Sequence, residues 1–181
     1  MSRFGYVMAT YFAAMGLVIA AVLPLPLKLI WNASASVPIG LYTIDPDHLP
    51  EVTDLVAVDA PEPLATFLAD RGYLPRGVPL MKRVAGVAGQ RVCRTGRMVS
   101  VNGVDMAEAL ERDRSGRPLP SWQGCRLLGV GEIFLMNWQV RDSLDGRYFG
   151  PVSTDMILGR ATPLYTDEDG KGRFEWRAPT R

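Results

Sequence analysis

Ser34, Ser36 and Lys82 are the residues whose types and settings could do chemistry. The two serines sit in "NASASVPIGLY", residues 32–42, just past a long apolar run. Lys82 lies in "VPLMKRVAGV", residues 78–87, where strand alternation puts Leu80, Lys82 and Val84 on one face and Met81 and Arg83 on the other. A serine hydroxyl becomes a nucleophile when a base stands beside it, and a lysine can be that base only when neutral. Burial among apolar groups disfavours the ammonium and lowers the lysine pKa from its ordinary value of about 10.4. On pattern alone Lys82 reads either as such a desolvated amine or as an edge-strand lysine that keeps its charge in water.

Other chemistries find little footing. The single histidine, His48, stands in "DPDHLP" beside two aspartates, where it reads as a solvated loop residue and not as the base of a Ser-His-Asp triad. One histidine and two distant cysteines do not supply zinc-ligand spacing. The glycine-rich text falls between strands instead of opening helices, so no phosphate-binding or dinucleotide fingerprint forms. The chain has 181 residues and a net charge of +1, with no block of Lys and Arg to mark a nucleic-acid surface. Neither a metal, a cofactor nor a nucleic acid is expected.

The elements that must hold the serines and the lysine begin with the apolar run. Phe4 to Leu27 contains no Asp, Glu, Lys or Arg. Ala33-Ser34-Ala35 can be read as a signal-peptide cleavage site, but a signal sequence has an apolar core of only about 7 to 15 residues. With Pro24 and Pro26 ending the helix near Leu23, about 20 helical residues remain, enough for one membrane span. An uncleaved anchor is therefore expected over residues 1–28. Orientation is open on charge alone, since Arg3 flanks one side and Lys28 the other. The two cysteines, Cys93 and Cys125, read as buried thiols in a cytoplasmic protein or as one disulfide in an extracytoplasmic one.

From Lys28 onward the text is β-rich. Strands are expected at residues 54–60, 78–87, 131–137 and 155–165, and consecutive hairpins over 89–106, with Thr95-Gly96 and Asn102-Gly103 as turn signals. Residues 61–77 have room for one short helix, and the polar stretch 107–125 reads as a loop or a brief helix followed by loop. Pro38 biases Val37 toward extended conformations, and Gly40 reads as the residue of a tight turn. Many short strands with Gly and Pro punctuation predict a mainly β fold, a small antiparallel domain of barrel or coiled-sheet type over residues 29–166. The charged tail, residues 167–181, is expected to fray.

Three segments taken in order carry a resemblance. "SVPIGLY" (36–42), "LMKRVAGVAGQRV" (80–92) and "DSLDGRYFGPV" (142–152), after one apolar span, resemble the Ser-Lys signal peptidases. The match is closer to the conjugative-transfer, TraF-type branch, whose serine motif reads Ser-x-Pro-x-Gly-Leu-Tyr, than to type I enzymes with Ser-Met-x-Pro. The resemblance makes Ser36 the nucleophile, Lys82 the general base and Ser34 a hydroxyl that completes an oxyanion hole with the Ser36 backbone N–H. Ser143 and Asp145 match residues that orient the lysine and support the site, with Arg147 a partner for Asp145. Type I enzymes carry Gly-Asp-Asn before this last motif, whereas this chain has "MNWQV" at 136–140.

The resemblance implies a signal-peptidase-like coiled antiparallel β domain behind a single transmembrane helix in the bacterial inner membrane. Its catalytic domain would stand in the periplasm, without metal or cofactor. It implies a serine endopeptidase acting on a membrane-inserted pilin precursor, alongside other conjugation or type IV secretion components, the acyl-enzyme being resolved by water or by the substrate's own amine to give a cyclic product. An external domain favours the Cys93–Cys125 disulfide. Two rival readings are a general signal peptidase that removes leader peptides, and a membrane-tethered β scaffold in which Ser36 and Lys82 lie far apart. A substrate is expected to bind extended along a strand edge, with small side chains in shallow pockets.

Overall fold

The computed structural model describes residues 3–22 and 29–179. The first element, α1 (Arg3–Val22), is apolar around its whole circumference, with Phe4, Tyr6, Tyr11, Phe12, Leu17 and Val18 all exposed. Among the described residues no helix is long and apolar enough to cross a membrane. The expected helix end at Pro24 and Pro26, and the boundary at residue 28, lie outside the described residues.

The rest is mainly β, as the short apolar strands and glycine punctuation require. In chain order the elements are β1 (Leu29–Asn32), β2 (Ile39–Asp45), β3 (Leu55–Val58), α2 (Glu62–Asp70), β4 (Leu80–Gly86), β5 (Arg91–Thr95) and β6 (Met98–Val101). They continue as β7 (Val104–Glu108), β8 (Gly124–Leu127), β9 (Glu132–Leu135), α3 (Gly146–Phe149), β10 (Val152–Ser153), β11 (Ile157–Asp167) and β12 (Glu175–Trp176). Among the described residues the larger sheet runs β1-β2-β11-β3-β4-β9-β10, with β12 on β11, and the smaller runs β7-β6-β5-β8. Every pairing between these strands is antiparallel.

β4 is interior to the larger sheet, between β3 and β9, so the edge-strand reading of Lys82 does not hold. Both faces of β4 are covered. Met81 joins a core with Ile30, Tyr42, Ile44, Leu55 and Ala57, while Leu80 and Val84 join another with Val56, Val58, Leu68, Ile133 and Leu135. A third cluster, with Val92, Val99, Val101, Leu128, Phe134 and Met136, seals the smaller sheet against the larger. At roughly 25 cal/mol per Å² of apolar surface, two-sided burial of this kind makes the β3–β4 pair a firm platform.

The expected hairpins form, with turns at Gly96-Arg97 and Asn102-Gly103. Cys93 and Cys125 face each other in register on β5 and β8 and form a disulfide. The polar stretch holds no helix; it crosses as a loop, closed by an Arg112–Pro118 bridge, and ends in β8.

Two expectations need correction. Gly40 lies inside β2, not in a turn. Its φ is +149°, and a Cβ there would stand 2.3 Å from the Tyr165 carbonyl oxygen, so glycine is what lets β2 lie against β11. The tail after Thr166 is also not left loose, so the boundary at residue 167 does not separate a free segment. The Asp167 carboxylate accepts from the Lys171 and Gly172 N–H groups, β12 pairs with Tyr165 and Thr166, and Phe174 stacks between Trp31 and Tyr165. Aromatic stacking and a turn-closing carboxylate outweigh the charge that suggests fraying.

Candidate active site

Ser36 stands on the connection between β1 and β2, and a buried side chain shapes that connection from within. The Asn32 amide donates to the carbonyls of Ser34 at 2.8 Å, Pro38 at 3.0 Å and Val37 at 3.2 Å, and its oxygen accepts from the Ser34 N–H at 3.0 Å. Tyr42, fully buried, donates its hydroxyl to the Pro38 carbonyl at 2.7 Å, and burial pushes its pKa up. The loop is thereby braced at both ends of Ser36.

Lys82 reaches this loop from the middle of β4. Its Nζ donates to Ser143 Oγ at 3.0 Å and to Ser36 Oγ at 3.3 Å. The side chain shares its face with Leu80 and Val84, as the alternation predicts, and is 3% exposed. Burial lowers its pKa from 10.5 to about 8; nearby Asp145 pulls it up and Arg147 pushes it down. A substantial neutral fraction near pH 8 follows.

Ser34 completes the group. Its Oγ lies 3.1 Å from Ser36 Oγ and accepts from the Ser36 N–H at 3.4 Å. The Ser36 N–H and the Ser34 hydroxyl thus stand together beside Ser36 Oγ, where two donors could receive an oxyanion.

Ser143 is held by the α3 entrance. Asp145 caps α3 and accepts from Arg147 Nε at 2.8 Å, Arg147 Nη2 at 2.9 Å and the Asn137 N–H at 3.0 Å. Arg147, with no exposed surface, also donates to the carbonyls of Val140, Ser143, Arg141 and Glu108 at 2.8–3.3 Å. Burial works most strongly against its charge, but the hydrogen bonds and charge of Asp145, with smaller contributions from Tyr148 and Asp142, together outweigh it and raise the pKa. Gly146 permits the arrangement, because a Cβ there would stand 2.6 Å from the Phe134 ring.

The structure therefore brings Ser34, Ser36, Lys82 and Ser143 into one group and sets Asp145 and Arg147 behind it. Cys93 and Cys125 are not part of it, and His48 bonds Asp54 at 2.8 Å and lines neither cavity at Ser36. Among the described residues no group of His, Cys, Asp and Glu could hold a metal ion. Sequence reasoning missed Asn32 and Asn137. Asn137 is 4% exposed and bonds both the Ser36 carbonyl and the strand of Lys82. The one available signal was a polar residue directly after the apolar run of β9.

Ala35 and Ser36 form a ridge between two cavities, of about 400 and 510 Å³. The smaller reaches toward Trp138, Pro163 and Asp167; the larger, on the Lys82 side, lies among Leu80, Leu144 and the loop residues Leu110 and Leu119. That loop is tied down by the Arg114–Asp142 ion pair and by the Tyr73–Asp113 hydrogen bond.

Residues 1–166 match the family model described as signal peptidase, peptidase S26. Plasmid transfer protein TraF of Escherichia coli is 34% identical over 146 residues, covering 75% of this chain and 81% of its own length. Probable conjugal transfer protein TraF of Sinorhizobium fredii is 37% identical over 145 residues, covering 75% of this chain and 76% of its own. A crystal structure of a signal peptidase I from Enterococcus faecalis V583 covers 62% of this chain and 97% of its own at 19% identity, and its TM-score of 0.38 is too low to bear on fold or mechanism.

Proposed function

The chain belongs to the signal peptidase family, peptidase S26, and from that premise we propose that it is a membrane-anchored serine endopeptidase working through a Ser36–Lys82 dyad. The observation that carries the dyad is the 3.3 Å separation of Lys82 Nζ from Ser36 Oγ, combined with a burial that lowers the amine to about 8. In the reacting form the amine is neutral and the Ser36 hydroxyl donates to it. Ser36 Oγ attacks the scissile carbonyl carbon, Lys82 takes the hydroxyl proton, and the Ser36 N–H and Ser34 O–H donate to the oxyanion. As the intermediate collapses, the C–N bond breaks and Lys82 returns the proton to the leaving amine. An acyl-enzyme on Ser36 remains, to be resolved by water or by an amine of the substrate. Ser143, at 3.0 Å from Nζ, keeps the amine aimed at Ser36.

The substrate we propose is a membrane-inserted pilin precursor of a conjugation or type IV secretion system, since the relatives named above are transfer proteins. The apolar stretch from Phe4 to Leu27 would hold the chain in the bacterial inner membrane, with the domain from residue 29 in the periplasm. Enzyme and precursor confined to one surface meet at a raised effective concentration. The disulfide fits an oxidising compartment.

The test is cleavage of a membrane-inserted pilin precursor by the full chain, followed by mass spectrometry of the product. Ser36→Ala should abolish processing, and Ser34→Ala should lower kcat by about 10²- to 10³-fold. Undiminished cleavage by a folded Ser36→Ala chain would end the proposal. Equal cleavage of unrelated secreted precursors would make the chain a general signal peptidase instead.

A further inference from the structure

β2 and β4 are not neighbours in the sheet, since β11 and β3 lie between them. The backbone ladder therefore does not set the distance from the Ser36 loop to Lys82. Asn137 lies where these two segments meet. Its Nδ2 donates to the Ser36 carbonyl at 2.8 Å and to the Met81 carbonyl at 3.2 Å, and its Oδ1 accepts from the Arg83 N–H at 2.9 Å. Met81 and Arg83 are the two chain neighbours of Lys82.

The geometry has a local cause. The β9 side of β4 is bonded by backbone as far as Met136, whose N–H donates to the Arg83 carbonyl at 2.9 Å. At the next residue the backbone turns away, and the Asn137 N–H goes to Asp145 Oδ2 at 3.0 Å. The side-chain amide takes over the ladder, with one acceptor for Arg83 and donors for Met81 and Ser36. A carboxamide has the donor and acceptor set this position needs; a carboxylate lacks the donors and an alkyl group lacks both. The site is almost closed to water, Asn137 being 4% exposed, so the bonds act in a medium where losing them is costly.

We infer that Asn137 is the positioning residue that sets the Ser36–Lys82 separation, by holding the nucleophile's carbonyl and both flanks of the base in a single amide. It touches neither reacting atom, and its effect passes through Ser36 and Lys82. The inference rests on the dyad reading above and adds the group that fixes the dyad's geometry.

The test uses the full-length chain, a membrane-inserted pilin precursor, and Asn137→Ala and Asn137→Asp beside wild type and Lys82→Arg. With the fold retained by thermal melt, Asn137→Ala should lower kcat about 10²-fold, the size of a misplacement of about 1 Å, with KM within about twofold. The pH at half-maximal kcat should stay where wild type has it. Asn137→Asp keeps the shape and the acceptor for Arg83, but sets a negative oxygen against the Ser36 and Met81 carbonyls. Its kcat should fall at least as far, and its half-maximal pH should rise because a nearby carboxylate favours the ammonium of Lys82. A residue with a merely structural role would lower the melting temperature and leave kcat of the folded protein where wild type has it. If Asn137→Ala does not fold, the Asp variant decides alone.

A kcat within threefold of wild type in either folded variant, or a loss confined to KM, overturns the inference. Lys82→Arg separates the two failures. If it is inactive while the Asn137 variants are unimpaired, only the positioning role falls; if it cleaves normally, the dyad reading falls too.

Discussion

Two cations lie buried on either side of Ser143, and the fold treats them in opposite ways. Arg147 is wrapped. A bidentate carboxylate and four backbone carbonyls take up its guanidinium, and Asp145 holds its charge in place. Among the described residues Lys82 has only hydroxyl groups as hydrogen-bond partners, Ser36 and Ser143, in a similarly dry place. A guanidinium does not give up its proton in this range, whereas a primary amine does once its charge is left uncompensated. The two positions also depend on each other. Asp145 pulls the Lys82 pKa up, and Arg147, by pairing with that carboxylate, offsets the pull. A fixed charge pair thus keeps a negative group close for structure without locking the neighbouring amine in its protonated form.

The sharpest way to break this contrast is to make the two cations alike. Lys82→Arg keeps a positive charge but cannot act as a base, and kcat should fall by at least about 10⁴-fold in a folded protein. Precursor cleavage at the wild-type rate would show that a fixed charge suffices at both positions.

Next in size is Arg147→Met, which leaves Asp145 buried without its counter-ion. The cost should be about 3 to 5 kcal/mol, read by denaturant titration. Activity that survives should shift to higher pH, because the bare carboxylate favours the Lys82 ammonium. A variant as stable as wild type would mean that Asp145 does not need its partner.

Lys82→Met should act in the other direction on stability. The folded pKa of Lys82, about 8, lies below the ordinary lysine value of 10.5. Between those values the unfolded chain holds a proton that the folded chain has released, so stability rises with pH through that window. Below it the folded protein bears the full cost of the buried charge, about 3 kcal/mol. Lys82→Met should accordingly melt above wild type at pH 7, and the gap should close toward pH 10.5. A lower melting temperature at pH 7 would place the ammonium among the stabilising groups, with Arg147.

The smallest effect belongs to Ser143→Ala. Without its 3.0 Å partner the Lys82 ammonium is less well solvated, so the rise of kcat with pH, centred near 8 in wild type, should move down by less than about one unit while its plateau falls. A midpoint that moves upward would contradict this account of Lys82.

What could be read in advance follows the same division between local and distant causes. Lys82 was legible because its alternation with Leu80 and Val84 is local, and the Asn102-Gly103 hairpin because turn chemistry is local. Ser36, Ser143, Asp145 and Arg147 were legible through their motifs. Asn137 was not, because its partners are Ser36, 101 residues away, and Met81, 56 away, and no pattern within one segment encodes them. Gly40 misled for a similar reason: the neighbour that requires a glycine is Tyr165, on a strand far along the chain. The charge of the tail suggests fraying, while its aromatic residues Phe174 and Trp176, which pack against Tyr165, hold it in place.

The pairing of β2 with β11 has a consequence in time. Thr43 and Thr162, neighbours across that pair, are separated by 119 residues, and β2 has only β1 and β11 beside it in the sheet. A chain emerging from the ribosome presents Ser36 early and β11 almost last, and contacts of such long separation form late in folding. Ser36 is thus made early and held late. Nascent chains that end before Ile157 should contain both Ser36 and Lys82 and still cleave nothing, so the chain would remain inert throughout its own synthesis.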